Sequence, residues 1–397
     1  MDPSRDPKIP DEKDRSAVSG FILVIVSHAL NHTYDTLLPI LYPAIISEFN
    51  LSYGSVGMLV MGYRLSSGTL QFIMGFVGRF VKKKILLGVG MIWQAVGNAF
   101  TTLCPGFGSM FITRTLTGVG ASPQHPTGAA FIAENFPKNR LGRAMGWNLT
   151  AAQTGRFIAP FIGSLILMSI GWRATLLVFS IPGFVVGMLF LFVAESKRSG
   201  DETGQFTLTV LVGEMREVLR NRTVMMVMVL EMTMAFRMGA SDFIPSYLVR
   251  DLSMTSAGAG ILFTIFLGSG LFAPYLWGVL SDRFGRRRVL MLAMSGATVF
   301  WYLIPYGRNT FQLALILIPL GIVCQGVGGI NQAYVGEVTT QENRDLVYGI
   351  YFTLAYSVGS LSSVILGYLA DSFGFQIGFT YVAVVSFFGI IAAYFLK

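Results

Sequence analysis

The sequence is poor in charged residues and in cysteine. Only 13% of its 397 residues are charged, whereas a soluble globular chain carries about 25%. This shortage excludes a soluble enzyme or a nucleic-acid-binding module of the ordinary kind. The two cysteines, Cys104 and Cys324, lie in or beside apolar stretches, so the sequence predicts neither a disulfide framework nor a cysteine-based metal site.

Long apolar runs take up most of the chain instead. Hydrophobic residues make up 53% of it, in twelve stretches at about 18–46, 54–80, 85–103, 108–133, 141–169, 172–194, 223–249, 257–281, 288–306, 310–335, 345–370 and 375–396. A membrane-spanning helix needs about 20 apolar residues, and its backbone groups must be satisfied within the segment. The sequence therefore predicts an all-α membrane protein with twelve transmembrane helices.

Two polar segments divide the chain. Residues 1–17 carry both signs of charge and predict a disordered cytosolic tail, because a signal peptide would need a brief apolar core. Residues 195–222 are also polar and charged and predict a cytosolic linker. We therefore expect an N-terminal six-helix bundle at 18–194 and a C-terminal six-helix bundle at 223–397.

The basic residues predict the orientation in the membrane. With the N-terminus inside, 22 of the 29 Lys and Arg residues fall on the cytosolic side and three fall outside, as the positive-inside rule requires. We therefore expect a multi-pass protein of the plasma membrane with both termini in the cytoplasm. The net charge of +8 is mostly a topology signal, and no nucleic-acid partner is expected.

The two halves repeat one another. Asp35-Thr-Leu-Leu-Pro39 in the first apolar stretch corresponds to Asp242-Phe-Ile-Pro245 in the seventh. The charged ends of the second and eighth stretches correspond as well, at 75–84 and 278–288. Such a repeat is expected of a transporter whose binding site lies between its halves.

Several motifs resemble those of the major facilitator superfamily. The pattern Gly278-x-x-x-Asp282-Arg283-x-Gly285-Arg286-Arg287 resembles the loop signature of that family, and Arg114-x-x-x-Gly118-x-Gly120 and Gly171-Trp172-Arg173 are similar to further patterns. The resemblance implies two bundles that rock around a central cavity without ATP. It also implies a conformational latch, which we assign to Asp282, Arg283, Arg286, Arg79 and Arg114, although Gly78 stands where the family usually has an aspartate.

A narrower resemblance concerns the first helix. Its sequence His28-Ala-Leu-Asn31-His32-Thr-Tyr-Asp35 is similar to the His…Asn…Asp helix of fosmidomycin-resistance-type members. A resemblance to organic-anion transporters of the superfamily is also considered. Against an exporter, the fifth helix reads Gly155-Arg156-Phe-Ile-Ala159-Pro160, with alanine replacing a usual glycine and an additional arginine.

Seven charged side chains lie well inside the predicted spans. Each would cost about 2.5–3.5 kcal/mol at the centre of a spanning helix, so these residues must face a wet cavity, form pairs, or both. They are Asp35, Arg64, Arg114, Arg156, Glu231, Arg237 and Asp242.

A proton site is predicted on the first helix. At about 100° per residue, His28, His32 and Asp35 share one face, and intramembrane carboxylates and histidines are typical of proton relays. We expect these residues to couple transport to protons, with Glu231 and Asp242 as further candidates. Two alternatives stay open: structural hydrogen bonding within the group, and a divalent-metal site of His28, His32 and Asp35.

An anion site is predicted between the halves. Arg156 and Arg237 lie near the middle of their helices, one in each half, and guanidinium groups bind carboxylate or phosphate in bidentate fashion. Salt bridges of Arg237 to Glu231 or Asp242, and of Arg156 to Asp35, are the alternative. Further substrate contacts are expected from Asn31, His125, Asn331, Gln332, Tyr351 and Tyr356.

The sequence thus predicts a secondary transporter. Our leading hypothesis is proton-coupled symport of a small organic anion by alternating access. A proton-antiport exporter of drugs or toxic metabolites is the alternative, and a divalent-metal transporter is a third. The expected partners are the substrate, protons and the lipid bilayer, and we expect a monomer with no catalytic residue, cofactor or resident metal.

Overall fold

The computed structural model describes residues 12–78, 80–192, 220–339 and 344–396. Within these ranges the chain is helical and contains no strand, which confirms the all-α prediction. The first helix begins at Glu12, so most of the predicted tail, like most of the predicted linker, lies outside the described residues.

The described residues of the first half form six helices, which make six passes through the bundle. They are α1 (Glu12–Phe49), α2 (Tyr53–Val77), α3 (Lys83–Thr101), α4 (Phe107–Ala121), α5 (Gln124–Asn135) and α6 (Lys138–Phe192). A break at Ser122 and Pro123 separates α4 from α5, which together make one pass. Gly171, at φ 76°, turns the chain inside α6, so that α6 makes two passes.

The second half repeats this arrangement. Its helices are α7 (Arg222–Ser241), α8 (Ile244–Arg250), α9 (Ser256–Ser269), α10 (Ala273–Phe284), α11 (Arg286–Leu303), α12 (Thr310–Val338), α13 (Arg344–Phe373) and α14 (Phe375–Tyr394). The pairs α7/α8 and α9/α10 each make one pass with a break in the middle, and the 3₁₀ turn Ile304–Tyr306 extends α11. The described chain thus makes twelve passes.

Helix length and composition agree with a membrane protein. Seven segments of the described residues are long and apolar enough to cross a membrane, and one of them, Arg140–Phe192, contains two passes. Large apolar side chains such as Leu103, Phe192 and Phe272 are more than two-thirds exposed, as expected of surfaces that face lipid. The polar side chains of the spans are mostly buried between the helices.

The halves are joined closely at the end of the bundle where α1 ends, which we call the distal end. Asp371, at the end of α13, accepts hydrogen bonds from the backbone N–H groups of Tyr53 (2.8 Å) and Gly54 (2.7 Å) at the start of α2. The Tyr53 hydroxyl donates to Asp251 at 3.1 Å. A Cβ atom at Gly57 would collide with the backbone of Ser363, so α2 and α13 cross in direct backbone contact.

Candidate functional site

The predicted face of α1 forms a chain of polar contacts. The Nε2 atoms of His28 and His32 lie 3.2 Å apart, and Nδ1 of His32 lies 3.2 Å from Oδ2 of Asp35. Both histidines are buried, whereas the Asp35 side chain keeps 21% of its exposure. The sequence prediction that these three side chains share one face is confirmed.

Helix α6 contacts this chain at two of its members, His28 and His32. His28 Nδ1 lies 2.9 Å from the side-chain oxygen and 3.1 Å from the backbone oxygen of Asn148. Arg156 donates through Nε to Nδ1 of His32 at 3.2 Å. The guanidinium therefore contacts His32 and not Asp35, the partner considered from the sequence. The imidazole of His32 thus contacts both a guanidinium and a carboxylate.

A third histidine approaches from α5. The break after Ser122 places His125 in the first turn of α5, where its ring centre lies 5.1 Å from that of His28 and 5.3 Å from that of His32. Its Nε2 atom lies 3.0 Å from the hydroxyl of Tyr356 on α13. The Tyr356–His125 hydrogen bond joins the two halves at the level of the site.

An ion pair also crosses between the halves. Arg64 of α2 contacts the carboxylate of Asp242, in the break between α7 and α8, at 2.9 and 3.1 Å. Asp35 lies on the same small cavity as this pair, which has room for about one water molecule. Asp242 is thus paired with Arg64 and not with Arg237, the partner considered from the sequence.

A second polar network supports α1 from behind. Gln94 of α3 donates to Asn31 at 3.0 Å and to the Tyr63 hydroxyl at 2.7 Å. Arg114 donates to Asn98 at 2.6 Å and stacks over the Tyr63 ring at 4.5 Å. All five residues belong to the first half, and Arg114 lies in this network rather than beside the loop residues of the predicted latch.

In the second half, Glu231 is held by neutral groups. The Tyr351 hydroxyl and the amide of Asn331 (2.9 Å) both donate to its Oε2 atom. All three side chains are buried. Gln332, one residue further along α12, is partly exposed, and its backbone oxygen accepts a hydrogen bond from Tyr348.

Arg237 is a buried cation with a weak partner. Its side chain is 3% exposed and its Nη1 atom lies 3.9 Å from Cys324 Sγ. Its Nε atom has no hydrogen-bond partner among the residues that the structure describes. Among the described residues, no carboxylate oxygen lies within 4.0 Å of its side-chain nitrogens. The salt bridges considered from the sequence are therefore not formed.

The predicted latch is only partly visible. Arg286 donates through Nε (2.8 Å) and Nη2 (2.5 Å) to Glu337 of α12, and it lies 3.8 Å from the exposed Asp282. Arg283 lies over the ring of its neighbour Phe284. Arg79 lies outside the described residues.

Sequence reasoning missed Asn148 and Gln94. Both are buried amides inside apolar stretches, and this isolation is the signal that could have pointed to them. Their contacts are with other helices, which helical periodicity along one segment does not show. Glu337, the partner of Arg286, was missed for the same reason.

Comparison with known proteins identifies the family. The model of the Major Facilitator Superfamily matches residues 24–249 and 232–397. The chain belongs to the major facilitator superfamily. It is accordingly a multi-pass membrane transporter of a small-molecule substrate and not an enzyme, and its twelve passes are those of the superfamily fold.

The relatives cover nearly the whole transporter. The fosmidomycin resistance protein of Escherichia coli is 23% identical over 90% of this chain and 88% of its own. The hexuronate transporter of Bacillus subtilis is 24% identical over 91% of this chain and 89% of its own. A probable L-galactonate transporter of E. coli is 21% identical over 90% of this chain and 84% of its own.

Solved structures show the same fold. A bacterial homologue of the human lysosomal transporter Spinster, in an inward-facing and occupied conformation, superimposes with a TM-score of 0.84 over 98% of this chain and 97% of its own, at 14% identity. A mutant form of the nucleoside transporter NupG superimposes with a TM-score of 0.83 over 95% and 98%, at 13% identity.

Proposed function

We propose that this transporter moves a small organic anion together with protons, by alternating access, as a monomer in the plasma membrane with both termini in the cytoplasm. The observation that carries the proposal is the position of His32 between Arg156 and Asp35, at 3.2 Å from each. A cation that can hold an anion and a carboxylate that can hold a proton therefore act on the same side chain.

The arginines support an anionic substrate. A buried cation needs a counter-charge or a wet cavity, and Arg237 has no carboxylate partner among the described residues. Arg156 is bonded to a histidine, which is a weaker partner than a carboxylate. An anion between the halves would satisfy both guanidinium groups.

The named relatives point to the same class of substrate. Hexuronates and L-galactonate are sugar carboxylates, and fosmidomycin is a phosphonate, so the names of three relatives refer to anions. We assign the substrate contacts to Arg156 and Arg237, with contributions from Asn31, His125, Asn331, Gln332, Tyr351 and Tyr356.

The proton is assigned to the α1 chain. Asp35 is the partly exposed member of that chain, so it can exchange a proton with water in the cavity, and His32 and His28 continue the chain inward. Glu231 and Asp242 are the alternative proton sites, although Glu231 is held by neutral donors and Asp242 is paired with Arg64. Asp282, Arg283, Arg286 and Arg79 remain the proposed latch, which would act when the distal contacts of Asp371 open. Arg114, the fifth residue predicted for the latch, would act only through its contacts with Asn98 and Tyr63.

Transport in liposomes tests the proposal. Purified protein is reconstituted, an inward proton gradient is imposed, and uptake of labelled D-glucuronate, L-galactonate and fosmidomycin is measured. We expect uptake of at least one anion that collapses when an ionophore removes the gradient. Gradient-independent uptake would refute proton coupling, and the absence of flux or thermal stabilisation across a wider panel of mono- and dicarboxylates would refute the anion class.

An exporter remains the second candidate because of the fosmidomycin resistance relative. Resistance to fosmidomycin on expression, lost in Asp35→Asn, would support export. The third candidate, a divalent-metal transporter, is favoured by the three histidines, each of which offers a ligand atom within 4.8 Å of the other two. Calorimetry with Zn²⁺ tests it, since no binding, or binding unchanged in His32→Ala, would exclude such a site.

A further inference from the structure

Nδ1 of His32 has two partners that make opposite demands. Arg156 Nε donates a proton to it at 3.2 Å, which requires a lone pair on Nδ1. Asp35 Oδ2 lies at the same distance, and a carboxylate there requires a proton on Nδ1. One nitrogen cannot satisfy both partners at once.

The neighbouring histidine determines the state of the other ring nitrogen. His28 Nδ1 faces two carbonyl oxygens of Asn148, one of them on the backbone, so His28 donates from Nδ1 and, when neutral, keeps its lone pair on Nε2. That lone pair faces Nε2 of His32 at 3.2 Å. His32 must therefore carry a proton on Nε2 to make this hydrogen bond.

Only Nδ1 of His32 is then free to change. When His32 is neutral, its Nδ1 lone pair accepts from Arg156. When His32 gains one proton, Nδ1–H donates to Asp35 and can no longer accept from the guanidinium. The bond from His32 Nε2 to His28 is the same in both states.

We propose that His32 is a one-proton switch that exchanges Arg156 for Asp35. The proton passes from the cavity to the carboxylate of Asp35, which lines it, and from there to Nδ1 of His32. The Arg156 guanidinium is then released to bind an anion. The proton therefore binds first and the anion second. This order rests on the proposed function, whereas the switch itself is a property of the folded chain.

Charged and titratable groups from several helices surround the His32 imidazole and affect its protonation. Asp35 and His28 lie on the same helix, His125 approaches from α5, Arg156 from α6, and Tyr356 reaches His125 from α13. The carboxylate of Asp35 favours the added proton, and the guanidinium opposes it until it moves away. Two nearby charges, Arg64 and Asp242, are already paired with each other.

The switch can be observed without any substrate. The chain has only three histidines, all in this cluster, so ¹⁵N-histidine labelling of tag-free protein gives NMR signals from these residues alone. His28→Gln and His125→Gln assign the signals. At high pH we expect a proton on Nδ1 of His28 and on Nε2 of His32. As the pH falls, we expect His32 to become doubly protonated before the other two histidines. A His32 signal with Nδ1–H at high pH, or first protonation of another histidine, would overturn the switch.

Binding of D-glucuronate tests the order. Its carboxylate stays ionised between about pH 6 and 8.5, where histidines titrate. A change in the affinity measured by calorimetry over this range therefore reflects protonation of the protein and not of the ligand. Above the pH at which His32 titrates, we expect affinity to fall tenfold per pH unit, the slope of one linked proton. In His32→Gln the affinity should change less than twofold over the range, whereas His125→Gln should keep the slope.

The NMR experiment and the binding experiment test different parts of the proposal, so each can fail while the other succeeds. If NMR shows the switch but none of D-glucuronate, L-galactonate and fosmidomycin binds, the anion class is refuted while the switch stands. If D-glucuronate binds with no slope, or if His32→Gln keeps the slope, the proposed order is refuted while anion binding stands. A slope that is lost in His125→Gln would move the switch to His125 and overturn the assignment to His32.

Discussion

The two halves of this transporter carry related charges but partner them differently. In the first half, Asp35 contacts His32, which continues to His28 and Asn148 in one connected chain. In the second half, Glu231 is held by two neutral donors. Arg237 contacts the thiol of Cys324 and no carboxylate among the described residues. Asp242, which corresponds to Asp35 in the sequence repeat, instead reaches across to Arg64.

The two halves of this duplicated bundle can therefore have different tasks. A chain of titratable groups can pass a proton along, because each member both donates and accepts. A carboxylate enclosed by neutral donors, and a cation without a carboxylate, have no such connection. We infer that the first half handles the proton, that the second half contributes a fixed positive charge, and that the Arg64–Asp242 pair holds the halves together.

The largest effect is expected from breaking the ion pair between the halves. Arg64→Gln leaves the buried Asp242 carboxylate unpaired, which costs about 3–5 kcal/mol for a buried pair. We expect a large loss of thermal stability in a detergent melt, and a milder loss in the double variant Arg64→Gln/Asp242→Asn, which buries no unpaired charge. A double variant as unstable as the single would mean that the pair contributes by packing alone.

The next effect separates the two arginines. Arg156→Ala should reduce D-glucuronate uptake about 100-fold, since removing a charged hydrogen-bond partner costs about 2–5 kcal/mol, and it should also leave His32 Nδ1 without a donor. Arg237→Ala should reduce uptake without changing its pH dependence. Intact uptake in both variants would refute their assignment to the substrate, and equal pH profiles would remove the distinction between the halves.

The third expected effect is a difference in gradient-driven uptake between variants of Asp35 and Glu231. In Asp35→Asn the protonated His32 loses its anionic partner, so we expect gradient-driven uptake to be lost while exchange of D-glucuronate across the membrane continues. Glu231→Gln keeps an acceptor for the Tyr351 hydroxyl and should retain gradient-driven uptake. The reverse result, with coupling lost only in Glu231→Gln, would place the proton site in the second half.

The smallest expected effect is on the pH dependence of stability. It concerns two carboxylates at the distal end of the bundle, Glu48 at the end of α1 and Asp251 just after α8. Hydrogen bonds from Arg173, then Trp172, lower the pKa of Glu48, so its contribution to stability is present above the pKa of the unfolded chain and is lost as pH falls through the folded pKa. Burial raises the pKa of Asp251, so the folded state gains stability as its carboxyl is protonated. Exposed pairs contribute at most about 1 kcal/mol.

Melting curves across acidic pH check this contrast. Glu48→Gln should lower the melting temperature slightly at neutral pH and reduce its fall toward acid. Asp251→Asn should leave the melting temperature at neutral pH unchanged or raise it slightly, because the amide oxygen of Asn can still accept from Tyr53. Equal pH dependence in the two variants would contradict the opposite pKa shifts.

Much of the fold could be predicted from the sequence, and part of the site. The twelve apolar runs correspond to the twelve passes, and the break near Pro123 falls where prolines interrupt the fourth run. The shared face of His28, His32 and Asp35 was predictable because helical spacing alone aligns residues within a few turns. Two Arg237 salt bridges considered from the sequence, to Glu231 and Asp242, are not formed, although all three residues lie in one apolar run.

Those salt bridges fail for a geometric reason. Arg237 lies six residues after Glu231 and five before Asp242 on the unbroken turns of α7, so at about 100° per residue neither carboxylate shares its face of the helix. Each then meets a different neighbour, Glu231 on α12 and α13, and Asp242 on α2. Such partners depend on the rotation and depth of the packed helices.

From the sequence one can predict that the chain spans the membrane repeatedly, that its halves are duplicated, and which few charges lie within the spans. These properties follow from hydropathy and from the period of the helix, and both are local. The packing of the helices is needed to see that Arg156 contacts His32, that Asn148 orients His28, and that Arg64 binds Asp242. Each of these contacts joins different helices, and their packing sets the distances between side chains that are far apart in the chain.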